Sequence, residues 1–284
     1  MKTALVLEGG ANRAYFSVGV MDALMDNNIK SDYVIGSSAG IANGISYVTG
    51  QKGRNLEIGL KYLNDKRYMG FKHLLNPFNR SYYNLKFVFE EIPQKHVPFD
   101  YEAFANYKGK VIATLTDINT GDIHYVDVPC GKNFHKTIIA SCALPIMFQP
   151  VEIDGHLFLD GGMTDSIPFK KAISDGCDKV IIILTREKDY VKTGESMSKL
   201  INLTYRKYPK LIEAINNRPN MYNTTRKEIF ELEKQGKLFV IMPEDTGDFT
   251  RVESDPDKIY DLYKQGYDIA CKRMVELKKY LEQD

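Results

Sequence analysis

Gly36-Ser37-Ser38-Ala39-Gly40 lies between the apolar run Tyr33–Gly36 and a helical pattern that opens at Ser38. A strand must therefore turn sharply into a helix, with a serine at the corner. Glycines two residues either side of Ser38 allow the tight turn and let neighbouring elements approach, because no Cβ intrudes. The Ser38 hydroxyl is then held out of the turn at the positive end of the helix, where a developing anion is favoured. Gly, Ser and Ala are common loop residues, so the spacing alone is only a moderately specific sign of a nucleophile.

A hydrolase of the usual α/β type carries its triad in the order Ser, then Asp or Glu, then His. The histidines here are His73, His96, His124, His135 and His156, and none follows His156. Only one strand, Thr3–Leu7, precedes the elbow, which is too early for that fold's central strand. A base other than histidine is required.

Two segments supply the missing parts. Leu7-Glu8-Gly9-Gly10-Ala11-Asn12-Arg13-Ala14 is a small-residue turn between strand Thr3–Leu7 and a helix over Arg13–Asn27. Backbone N–H groups exposed at such a helix start can cradle an oxyanion, a phosphate or a carboxylate. The same turn also serves as a plain strand-to-helix connection. It lacks the first Gly-x-Gly of the dinucleotide fingerprint, and no Walker Gly-Lys-Ser/Thr occurs in the chain. Leu157-Phe158-Leu159-Asp160-Gly161-Gly162 is a short apolar strand ending in Asp-Gly-Gly. Asp-Gly is a common turn signal. An aspartate at the end of a buried strand is also where the carboxylates of open α/β sheets sit, and beside a serine it can act as general base.

Together the three segments resemble the patatin-like phospholipase family, in particular its bacterial branch, whose pattern is a Gly-rich oxyanion loop, GxSxG, and Asp-Gly-Gly or Asp-Gly-Ala in that order. Gly9–Ala14, Gly36–Gly40 and Asp160–Gly162 follow that order, and Ala140-Ser141 through Leu144-Pro145 and Val151–Gly155 agree. The resemblance is strong over residues 3 to 185. It implies a three-layer α/β/α fold with a mainly parallel central sheet, plus C-terminal helices. It implies Ser38 as nucleophile and Asp160 as base, with Gly36, Ala39 and Gly40 shaping the elbow and Gly161 and Gly162 the turn after the base. It places the oxyanion hole and substrate loop at Gly9, Gly10, Ala11, Asn12 and Arg13, where the guanidinium steadies the loop or meets a lipid phosphate. The implied activity is hydrolysis of lipid carboxylic esters without a cofactor. Two positions depart from the pattern: Ala11 and Ala14 stand where the family usually has glycine. An alanine resists φ > 0, so the loop is expected to be set differently.

Composition bounds the rest. A chain of 284 residues with 43% hydrophobic content can bury a sizeable core. A net charge of +1 implies no bulk attraction to nucleic acid. Cys130, Cys142, Cys177 and Cys271 form no paired motif and read as reduced thiols. No His/Cys cluster has zinc spacing and no acidic calcium loop occurs, so no metal is expected. The apolar start is too short for a signal peptide and is needed as the first strand; no run reaches membrane-spanning length. The expectation is a cytoplasmic protein that touches the inner membrane face, with no oligomeric state implied.

Strands and helices alternate as a sheet with helices on both faces requires. Strands are expected at Thr3–Leu7, Tyr33–Gly36, Lys110–Asp117, Asp122–Asp127, His156–Asp160, Lys179–Leu184 and Lys237–Met242. Helices are expected at Arg13–Asn27, Ser38–Thr49, Arg54–Asn64, Pro168–Asp175, Ser196–Asn216, Asn220–Gln235 and Pro256–Glu282. We divide the chain into a catalytic core over 1–190 and a mostly helical extension over 191–284, with one strand, packed on that core. From Tyr68 to Phe89, aromatics alternate with Lys66, Arg67, Lys72, Arg80 and Lys86. That mixture suits a lipid–water interface or a cover over an acyl pocket, and equally aromatics packed beside the elbow helix. A lipid-binding or phosphate-binding regulatory protein that kept the fold and lost turnover is the alternative to a hydrolase.

Overall fold

A computed structural model describes residues 1–194 and 197–283. The chain begins with β1 (Thr3–Leu7), a 3-10 turn at Ala11–Ala14 and α1 (Tyr15–Asp26), then β2 (Tyr33–Gly36), α2 (Ala39–Val48) and α3 (Arg54–Tyr62). A short α4 (Phe71–Leu74), a π-helical segment (Phe87–His96) and α5 (Tyr101–Asn106) lead to β3 (Lys110–Asp117) and β4 (Ile123–Asp127). Next come α6 (Phe134–Cys142), β5 (Val151–Ile153), β6 (His156–Asp160), α7 (Phe169–Ser174) and β7 (Lys179–Ile183). The remainder is α8 (Ser198–Thr204), α9 (Pro209–Lys234), β8 (Phe239–Ile241), α10 (Pro256–Lys272) and α11 (Met274–Glu282).

The eight strands among the described residues join one sheet, in which β3, β2, β1, β7 and β8 run parallel. These five parallel strands are buried on both faces, so they read largely as apolar runs rather than as alternating ones. In β1, Leu5 and Leu7 enter one core while Ala4 and Val6 enter the other. In β7, Ile181 and Ile183 divide from Val180 and Ile182 in the same way. The first core holds residues of α1, α2 and α10, the second residues of α7 and α9. This is a mixed α/β fold with a central sheet and flanking helices, plus further helices toward the C-terminus.

Several boundaries differ from those expected. The helix read as starting at Arg13 opens with the 3-10 turn, and the one read from Ser38 starts one residue later, because Ser38 itself is the non-helical corner. The helix expected over Ser196–Asn216 is interrupted between α8 and α9, and its second part is continuous with the one expected over Asn220–Gln235, α9 running through Pro219. The expected start at Ser196 lies outside the described residues. The final helix breaks at Arg273 into α10 and α11. The short β5 that pairs with β6 was not anticipated.

α10 crosses α1 at very close range. A Cβ at Gly19 would land on the Tyr263 carbonyl oxygen, and one at Gly266 on the Phe16 carbonyl oxygen, so each helix needs a glycine where it meets the other's backbone. Tyr263 and Tyr267 of α10 donate to Asp22 at 2.9 Å and Asp26 at 2.7 Å on α1.

Candidate active site

Sheet register brings the serine and the aspartate together. β2 ends with Gly36 opposite Ala113 of β3, and β6 runs antiparallel to β3 with Asp160 opposite Leu115. A strand has two edges, and β4 occupies one edge of β3 over Ile112–Thr116. β2 and β6 therefore share the other edge in succession. Asp160 arrives just past the C-terminal end of β2, where the chain turns at Ser37 and Ser38.

The elbow is fixed on several sides. Ser38 has φ 54° and ψ −131°, a combination that costs a non-glycine residue about 1–3 kcal/mol. Ser37 N–H donates to Leu7 O at 3.2 Å, and Ser38 N–H donates to Ser141 Oγ of α6 at 3.0 Å. Gly40 N–H donates to Ser37 O at 2.9 Å and closes the turn. The flanking glycines are needed for approach. A Cβ at Gly36 would lie 2.8 Å from Ile41 N, and one at Gly40 2.6 Å from Leu7 O.

Asp160 is 1% exposed. Its Oδ1 accepts from Gly162 N–H at 2.7 Å, which holds the turn at Gly161–Gly162, while its buried Oδ2 has no hydrogen-bond partner among the described residues. Burial pushes this carboxyl above the usual aspartate range. The Ser38 hydroxyl, Arg218, Gly162 N–H and Arg251 all act in the opposite direction. An enclosed carboxylate of raised proton affinity beside a serine is the disposition a general base needs. The half-buried Cys142 also stands at this corner, its thiol pushed well up by desolvation and by Asp160, so it stays protonated.

The loop at Gly9–Arg13 lies against the elbow. Gly9 packs so closely that a Cβ there would sit 3.1 Å from Ser38 Cβ. Its N–H donates to Ser166 O at 3.3 Å, so it is not an open donor. The N–H groups of Gly10, Ala11 and Ala39 have no acceptor among the described residues and are the open donors around Ser38. Asn12 anchors the loop, donating through N–H to Arg251 O at 3.2 Å and through Nδ2 to Glu253 O at 2.7 Å. Ala11 adopts φ 49°, so the left-handed geometry that a glycine would take is kept in spite of the Cβ. Ala14 lies buried inside the 3-10 turn. Replacing Ala11 with glycine is expected to relieve the αL strain and raise stability by roughly 1 kcal/mol, less whatever the freer unfolded chain takes back. A chemical denaturation midpoint that is lower in Ala11→Gly would contradict this.

Two cavities meet at Ser38. One is apolar, about 170 Å³, with Tyr15, Ile58, Val88, Phe89, Phe99 and Phe148 among its walls. It is comparable with the ~150 Å³ void that accepts a benzene ring, and suits an apolar chain. In the segment from Tyr68 to Phe89, Tyr68, Tyr83 and Phe89 line this cavity, whereas Phe71, Leu75 and Phe78 are exposed, Phe78 by 98%. The other cavity, about 50 Å³, is polar and lies on the Asp160 side. Arg13, Arg186, Lys192, Arg218 and Arg251 line it, with Glu8, whose buried carboxylate accepts from Thr185 N–H and Tyr222 OH, both at 2.5 Å. Apart from Arg13, sequence reasoning missed this group, because Arg218 falls in the gap expected between two helices and Arg186, Lys192 and Arg251 in loops.

The fold and this corner together define an α/β protein with a serine on a strained strand-to-helix turn and a buried aspartate, rather than a histidine, beside it. The chain belongs to the patatin-like phospholipase family, whose model matches residues 5–173. Residues 208–282 match a domain of unknown function, DUF6363. Among curated relatives, the uncharacterized protein YjjU of Escherichia coli K12 is 27% identical over 65% of this chain and 52% of its own length. Patatin-like phospholipase domain-containing protein 7 of Rattus norvegicus is 26% identical over 69% of this chain and 14% of its own. These matches thus span about half of the first relative and about a seventh of the second. VipD from Legionella pneumophila has a similar fold, with a TM-score of 0.52 at 13% identity over 97% of this chain and 67% of that one. No helix among the described residues is long and apolar enough to cross a membrane.

Proposed function

We propose that this protein is a serine acyl hydrolase of lipid carboxylic esters, with Ser38 as nucleophile and Asp160 as base. The observation that carries the reading is the strained Ser38 corner beside the enclosed Asp160 carboxyl, with an apolar cavity opening on the same serine. Ser38 Oγ attacks the ester carbonyl while Asp160 accepts its proton. The tetrahedral oxyanion faces the open N–H groups of Gly10, Ala11 and Ala39 at the positive end of α2. Asp160 returns the proton to the departing alcohol, and water clears the acyl-enzyme by the reverse sequence. The left-handed Ala11 weakens the case for an inactive binding protein, since the loop keeps the geometry that the alanine seemed to threaten.

A fluorophosphonate probe tests the assignment. Wild-type protein is expected to be modified at Ser38, read by mass spectrometry, and Ser38→Ala to be unmodified. A folded wild-type protein that remains unlabelled would remove the nucleophile from this reading.

The exposed Phe71, Leu75 and Phe78, with Lys72 and Arg80 beside them, suit contact with a lipid surface. Phe71→Ser/Phe78→Ser should lower turnover of an ester held in vesicles several-fold relative to a short, monomeric ester. An unchanged ratio would leave the tip without that role.

A further inference from the structure

We propose that residues 208–282, which match a domain of unknown function, act as the clamp that sets the oxyanion loop, through the Tyr222 hydroxyl and the carbonyls of Arg251 and Glu253. The inference rests on the hydrolase reading and makes these positioning groups for that reaction, leaving nucleophile and base as they are. The open donors, Gly10 N–H and Ala11 N–H, lie between two fastened residues. Upstream, Glu8 is 1% exposed and its Oε1 accepts from Tyr222 OH of α9 at 2.5 Å. Downstream, Asn12 donates through N–H to Arg251 O at 3.2 Å and through Nδ2 to Glu253 O at 2.7 Å. The core's own bonds, from Thr185 N–H to Glu8 Oε2 and from Gly9 N–H to Ser166 O, fall at the upstream flank.

Ala11 is the reason a clamp is needed. Its φ of 49° is one that an alanine resists, so a loop released on either side would relax toward the right-handed region. That rotation turns the neighbouring N–H groups, and the hole beside Ser38 loses its donors. The anchoring groups are firmly held in their turn. A hydroxyl donating to a buried carboxylate is a charge-assisted bond and stronger than a neutral one. One turn beyond Tyr222, Arg226 ties α9 to the segment after β7, donating through Nη2 to Glu187 O at 2.6 Å and Lys188 O at 3.2 Å. In the loop before α10, Ser254 N–H and Asp255 N–H donate to Glu253 Oε1 at 3.0 and 3.1 Å, and Arg186 donates to Thr246 Oγ1 at 2.8 Å. α10 then packs on α1 backbone to backbone at Gly19 and Gly266, and α1 continues directly from the 3-10 turn that holds Asn12. The helix pair therefore carries the loop and its anchor together.

The test reads the oxyanion hole and the ground state separately. Turnover is followed with p-nitrophenyl butyrate. A trifluoromethyl ketone of the same acyl chain adds reversibly to Ser38: the Oγ–C bond forms, the carbonyl π pair moves onto oxygen, and Asp160 takes the serine proton. This inhibitor presents the oxyanion with no leaving group. In Tyr222→Phe, which keeps the ring and removes the hydroxyl, kcat is expected to fall about 10–100-fold with KM little changed. The ketone's Ki should weaken by the same factor as kcat/KM. Asn12→Ala, which removes the Nδ2 anchor, should lose ketone affinity and kcat/KM in the same proportion. Lys264→Ala, which breaks an exposed ion pair with Asp268 on α10, should leave both values at wild type. Active sites are counted with the fluorophosphonate taken to completion, so unfolded protein lowers the count and leaves Ki where it was. A reduced count with wild-type kcat per site and wild-type Ki overturns the proposal. So does an equal loss in Lys264→Ala, or a rise in KM alone. If wild-type protein neither cleaves the ester nor is labelled at Ser38, the hydrolase reading fails; an active, labelled wild type whose Tyr222→Phe variant keeps ketone affinity defeats the clamp alone.

Discussion

Asp160→Asn is expected to lower ester turnover by about 10²–10⁴-fold and, in the same protein, to raise the melting temperature. Loss of the base explains the first effect. The second follows from burial, which holds the Asp160 carboxyl above its ordinary range. Its proton is therefore retained to higher pH in the folded protein than in the unfolded chain, where it leaves near pH ~3.9. Between those two values the folded state binds more protons, so stability falls as pH rises. Above the folded value the full cost of keeping the carboxylate buried is present. An amide carries no such cost and can still accept from Gly162 N–H. Each kcal/mol relieved corresponds to roughly 2–4 °C in a domain of 150–250 residues. The same ionisation sets the acid limb of kcat/KM, which should rise across a pH above the usual aspartate range. Scanning calorimetry at neutral pH decides the matter: a lower melting temperature in Asp160→Asn would mean that the carboxylate is held by net favourable contacts and is not a poised base.

Gly19→Ala should be among the most damaging single methyl additions outside the site. The new Cβ meets the Tyr263 carbonyl, which is backbone and cannot rotate away, so α1 and α10 must separate. Overpacking of this kind costs about 1–3 kcal/mol, and loosening the tyrosine–aspartate bonds between the helices adds to it. Gly194→Ala is a fitting control, because nothing among the described residues lies within 4 Å of a Cβ there. If denaturation midpoints of the two variants coincide, α10 rides on α1 without being part of its support.

Much of this architecture is legible in the chain because local chemistry agrees with the tertiary outcome. Thr3–Leu7, Tyr33–Gly36, Lys110–Asp117 and His156–Asp160 read as strands and are strands. Gly36 and Gly40 mark the corner because only glycine fits there. Helices expected to stop at Asn216 and resume at Asn220 are continuous, although Pro219 between them lacks the N–H a helix interior uses. Yet the buried positions Leu211, Ile215, Arg218, Tyr222, Arg226 and Ile229 keep helical spacing straight through it, and packing along that stripe overrides the local loss. Ala11 was read through intrinsic preference, whereas its surroundings hold it at φ 49°. That β6 continues the edge of β3 where β2 stops is a matter of pairing between distant segments, invisible to periodicity. The convergence of Arg186, Arg218 and Arg251 is hidden for the same reason.

The two hydrogen bonds from Asn12 to Arg251 and Glu253 have a consequence in time. Synthesis proceeds from the N-terminus, so Ser38, Asp160 and the loop at Gly9–Arg13 are all made well before residue 251. The loop cannot be fastened until Arg251 and Glu253 have been added. Making the reactive groups and locking them into place are therefore separate events in the life of each molecule, divided by the interval needed to translate the stretch from Asp160 to Glu253.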